Sequence, residues 1–149
     1  SDYFENRKII LNFFKNAPKY KISILTSEYP LESKFLRGLL FDLFLISFDA
    51  KKYHNKKIAM LYTSFLRNHP NVESFLENQI KIGKKSFGSG FMVALGTIAV
   101  GITGNEPILN PEELARDLKI AKNNGINEVV IFRLGGLNKE YVDVIKKYC

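Results

Sequence analysis

The sequence predicts an α/β domain on a parallel sheet, and three observations carry that reading. Apolar runs of strand length recur, and the clearest of them, Phe41–Phe48 and Phe91–Ile102, are continuous rather than alternating. Such runs suit strands buried on both faces. Segments with helical spacing lie between them, and alternating βα units of this kind feed a parallel sheet. No linker or low-complexity stretch divides the chain, so residues 1–149 read as one domain.

The elements follow in order. Tyr3–Asn16 carries Phe4, Leu11 and Phe14 at helical spacing, and Pro18 stops it. Tyr20–Thr26 (YKISILT) is rich in β-branched residues and reads as the first strand. Leu31, Phe35, Leu36, Leu39 and Leu40 then share one helical face, and Phe41–Phe48 is the second strand, ending at Asp49. Ile58, Leu61, Tyr62, Phe65 and Leu66 form another apolar stripe at helical spacing. Pro70 interrupts it, and Val72, Phe75, Leu76 and Ile80 resume it as far as Gly83.

After the turn FGSG, Phe91–Ile102 is the third strand. The strongest local signal is NPEELARDLKIAKNNG. Asn110 is a natural N-cap, Pro111 is pre-shaped for the first helical position, and Glu113 completes a capping box. Gly125 suits the helix end. EVVIF is the fourth strand, RLGGLN a turn, and KEYVDVIKKY the closing helix.

Four βα units with helices on both faces fit half of a (βα)-barrel or a small open doubly wound sheet. The small residues of the third strand, Ala94, Gly96, Thr97, Ala99 and Gly101, favour half-barrel geometry. A complete barrel has about 250 residues. The missing half would come from further chain upstream, this being the C-terminal part of a longer protein, or from a second copy in a homodimer that closes the two open sheet edges.

Composition narrows the function classes. The net charge is +7, but the lysines are scattered and there are five arginines. A nucleic-acid surface wants a clustered stripe, so no nucleic-acid partner is expected. The uncharged stretch from Ser86 to Asn105 holds five glycines, which argues against a membrane span. One cysteine, Cys149, allows no disulfide within the chain, and no signal peptide is evident, so the expected compartment is the cytoplasm. His54 and His69 fall in polar segments without a metal-ligand pattern, and no metal or cofactor is expected.

In both architectures ligands bind at the carboxyl ends of the strands. That rule selects Glu28, Asp49, Asn105 with Glu106, and Arg133. Asn105-Glu106-Pro107 after an apolar strand resembles the Asn-Glu-Pro strand end of the large clan of retaining barrel glycoside hydrolases. The resemblance implies Glu106 as catalytic acid/base, Asn105 as its partner on the sugar's 2-hydroxyl, and a carbohydrate ligand. A retaining hydrolase also needs a nucleophilic carboxylate about 5 Å away, and Asp49 and Glu28 are the rim candidates. A different reading draws on the glycines after the last two strands. Gly104, Gly135 and Gly136 with Arg133 could cradle a small phosphorylated ligand through backbone N–H groups. A third reading is a non-catalytic structural or binding module of a larger protein.

Overall fold

The computed structural model describes residues 2–28, 33, 35, 55–101 and 104–148. Its sheet has strands β1 (Leu25–Glu28), β2 (Lys56–Met60), β3 (Phe91–Gly96) and β4 (Val129–Phe132). All pairings are parallel and the order is β1-β2-β3-β4. The α/β class is therefore as expected. The sheet is open and not a closed barrel, with spatial order following chain order throughout the described strands.

The helices are α1 (Asp2–Asn16), α2 (Val72–Phe87), α3 (Pro111–Asn123) and α4 (Lys139–Tyr148). Of the cover expected on both faces, the described helices supply one. Leu76 and Ile80 of α2, Leu114, Leu118 and Ala121 of α3, and Tyr141 of α4 pack on Ala59, Phe91, Val93 and Leu95. Successive right-handed βα crossovers in a sheet of consecutive order keep the helices on that side. Side chains alternate between faces along a strand, so Ile58, Met92 and Ala94 form a smaller cluster with Tyr62 on the opposite face.

Element boundaries differ from the sequence reading in several places, and α2 runs past the expected stop at Gly83 to Phe87. The first strand begins at Leu25, because Ala17–Tyr20 forms a 3-10 turn around Pro18 that closes through Ile22 N–H on the Ala17 carbonyl, 3.0 Å. The third strand ends at Gly96, where Ile98 N–H bonds the Phe132 carbonyl and Leu109 N–H bonds the Thr97 carbonyl, turning the chain out of the ladder.

The largest difference is at Ile58–Leu66. The apolar stripe predicts a helix, yet residues 56–60 form the second strand and Thr63–Leu66 a 3-10 turn. Pairing with β1 and β3 on both sides outweighs the local periodicity. The predicted strand Phe41–Phe48, Asp49 and His54 lie outside the described residues.

The capping box is formed as the sequence predicts. The Asn110 side chain accepts from Glu113 N–H, and the Glu113 carboxylate accepts from Asn110 N–H, both at 2.8 Å.

Candidate functional site

Among the described residues three loops lie at the carboxyl edge of the sheet, and a specific set of contacts ties them together. The first follows β2. Here Ser64 Oγ donates to the Gly96 carbonyl and accepts from Thr97 N–H, both at 3.0 Å, so this hydroxyl clamps the end of β3. Thr63 Oγ1 donates to Asp117 Oδ2, anchoring the same turn to α3. Arg67 donates to the Ile108 carbonyl and to Glu113 Oε2, the latter at 3.0 Å, which joins the first loop to the second.

The second loop follows β3 and is described at residues 97–101 and 104–109. Thr97 Oγ1 donates to the Pro107 carbonyl at 2.7 Å, and Tyr141 of α4 donates from its hydroxyl to the Leu109 carbonyl at 2.6 Å. Glu106 sits within this loop, half-buried, and its Oε2 accepts from Gly101 N–H at 2.7 Å. A Cβ on residue 101 would lie 2.7 Å from Glu106 Oε1, so the carboxylate occupies the space that a glycine leaves. Asn105 and Gly104 are exposed.

The third loop follows β4. Arg133 is exposed, and Leu134–Gly136 forms a 3-10 turn. A Cβ on Gly136 would fall 2.0 Å from the Ile98 carbonyl oxygen, so this glycine lets the third loop press against the second. Gly135 lies beside Arg133. The start of α4 is already served by Asn138, whose side-chain oxygen accepts from Tyr141 N–H at 3.1 Å. Within the expected phosphate cradle, Gly136 N–H is spent on the Arg133 carbonyl at 3.1 Å.

Glu28 ends β1 but points elsewhere. Its register partner is Ala59, on the helix-covered side. There Glu28, 1% exposed, accepts from Lys57 Nζ at 2.5 Å, and the same ammonium lies 6.0 Å from the centre of the Phe87 ring. A buried pair of this kind needs both partners, because removal of either strands a charge away from water. The structure brings Glu106, Asn105, Arg133 and the glycines to one edge and sends Glu28 into the helix-side core.

Several residues of the edge were missed by sequence reasoning, all for one cause. The helical spacing of Ile58, Leu61, Tyr62, Phe65 and Leu66 hides the place of Tyr62, Thr63, Ser64, Phe65 and Arg67 after a strand. The signal available was the polar trio Tyr62-Thr63-Ser64 directly after the apolar run Ile58–Leu61. Asp117 was read only as a helix residue. It is fully buried, and Arg116 Nε donates to its Oδ1 at 2.9 Å. Burial pushes the Asp117 carboxyl above its ordinary value, although Thr63 and Arg116 pull the other way.

Burial likewise raises the Tyr62 phenol. Glu113 behaves differently. Burial works to raise it, but the backbone hydrogen bond from Asn110 and the neighbouring Arg67 and Arg116 bring it net below the usual range. Among the described residues no group of three or more His, Cys, Asp or Glu could hold a metal ion. None of their helices is long and apolar enough to cross a membrane.

A separate cleft of about 280 Å³ lies near the amino end of β4, between Leu118, Lys122, Ile126, Asn127, Val129 and Tyr148. It is at the opposite end of the strand from Arg133. No protein-family model matches the chain, and comparison with curated proteins and with solved structures gives no match.

Proposed function

We propose that the carboxyl edge of the sheet binds carbohydrate, with Glu106 as its acid/base candidate and Asn105 and Arg133 as hydroxyl-binding neighbours. The observation that supports this most is the setting of Glu106. It is half-buried, fixed by Gly101 N–H, and carried on a loop cross-braced to both neighbouring loops. A carboxyl group held in one orientation at the ligand-binding end of a parallel sheet suits, in its protonated form, proton donation to a glycosidic oxygen. Hydrolysis would also need a second carboxylate, about 5–5.5 Å away for retention or about 6.5–9.5 Å for inversion. Asp49 is the candidate for that role.

The burial of Glu28 with Lys57 favours a second reading. With Glu28 committed to the core, the edge could serve as a binding module without turnover. Hydrolysis of aryl glycosides and of unactivated hexasaccharides by the protein and by Glu106→Gln separates the two. The enzyme reading predicts turnover that falls roughly 100- to 10,000-fold in the variant, the usual contribution of a general acid. Equal rates would remove Glu106 from the chemistry, and binding without turnover by either protein would favour the module.

A further inference from the structure

We infer that Tyr62, Phe65 and Phe132 form a stacking subsite for one sugar ring of the ligand. The inference rests on the carbohydrate reading above and adds to it a place where the ring lies.

The argument begins at Gly96. This residue pairs with Phe132 across the β3–β4 ladder, and its φ of 143° belongs to a region that side-chain-bearing residues avoid. A Cβ here would lie 2.5 Å from the Phe132 carbonyl oxygen. β3 therefore ends without a side chain, and the rings on either side of it can meet. Tyr62, just beyond β2, stacks on Phe132 at the end of β4, with centroids 6.1 Å apart and planes at 27°. Phe65 continues the series, 6.5 Å from Tyr62 with planes at 31°.

The inner two rings are half-buried and anchored, Tyr62 on the Ile58–Met92–Ala94 cluster. The outer ring, Phe65, is 55% exposed. More than half of that side chain is open to solvent. It leaves an aromatic face available at the end of the sheet where parallel α/β folds take their ligands.

The chemistry of that face fits a pyranose. An aromatic face is electron-rich, and one side of a pyranose presents polarised C–H groups that meet it, while the hydroxyls at the ring's edge need polar partners. The bracing of the chain relates the ring to the polar loop. Arg67, two residues past Phe65, holds the Ile108 carbonyl, two residues past Glu106. The turn that carries the outer ring is thus tied to the loop that carries the carboxylate.

The experiment measures affinity for β-linked hexasaccharides of glucose, xylose, mannose and N-acetylglucosamine by calorimetry. It uses the protein, Phe65→Ala, Phe65→Tyr and Glu106→Gln, with circular dichroism to check each fold. Phe65 is exposed, so its variants should fold. The expected result is a roughly three- to tenfold weaker Kd in Phe65→Ala, the scale of one aromatic contact, with affinity kept in Phe65→Tyr. If the protein binds a hexasaccharide and Phe65→Ala binds it equally well, the subsite is overturned while the carbohydrate reading stands. If the protein binds none of the four, both fail.

Discussion

Asp117 and Glu113 sit four residues apart on one helix and shift in opposite directions, although burial works to raise both. Asp117 is enclosed, and its carboxyl is raised. Glu113 is more open, and its hydrogen bonds and arginine neighbours leave it lowered. The sign of the pH dependence follows from linkage. For Asp117 the folded state holds its proton more tightly than the unfolded chain. Its contribution is therefore greatest below the unfolded value of about 3.9 and declines as pH rises through the higher folded value. For Glu113 the contribution is present above the unfolded value and is lost as pH falls through the lower folded value. Asp117→Asn keeps an acceptor for Thr63 but removes the titration. Thermal melts of both proteins between about pH 3 and 7, spanning these carboxyl values, should show the protein's advantage over the variant shrinking as pH rises. An advantage that grows with pH would mean that the Arg116 and Thr63 contacts outweigh burial.

The same scale shows what a sequence reveals about a site. The strand-end rule placed Glu106, Asn105 and Arg133 at the edge where the fold presents them. It also selected Glu28, which ends a strand but is drawn under the helices by Lys57. Which face a terminal residue takes depends on register with the neighbouring strand, and register is a tertiary property.

At the scale of elements, legibility follows from whether the cause is local. The helix from Pro111 to Asn123 was readable because its signals, an N-cap, a proline and a capping glutamate, act within one turn. Asn110→Ala should therefore cost about 1 kcal/mol of stability, measured by urea unfolding with an unchanged m-value. A loss near zero would mean that Tyr141, Arg67 and the core set this helix start instead. The segment Lys56–Leu66 is not readable, because its apolar spacing satisfies a helix while two neighbouring strands hold its first part, Lys56–Met60, extended. The buried Thr63 and Ser64 explain the rest. Their hydroxyls are spent on Asp117 and on the end of β3, partners far off in sequence.

At the scale of the molecule, continuous apolar runs between helical segments were enough for a parallel α/β fold. They did not settle how the sheet ends. The described strands run in chain order, and the helices that touch them lie on one side. This is the winding of successive βα units in an open sheet. That winding gathers the loops after β2, β3 and β4 at one edge, where Ser64, Thr97, Arg67 and Gly136 lock them into a single surface. The cleft beside Tyr148 lies at the other end of β4, which makes the two ends separable by experiment.

Amide spectra of ¹⁵N-labelled protein, titrated with the four β-linked hexasaccharides, test the carbohydrate reading of that edge most directly. The account predicts saturable shifts at Gly101, Asn105 and Glu106, at Tyr62–Arg67 and at Arg133–Gly136, with the amides of α2 and the cleft around Asn127 unmoved. Shifts confined to that cleft, or none with any of the four sugars, would contradict it.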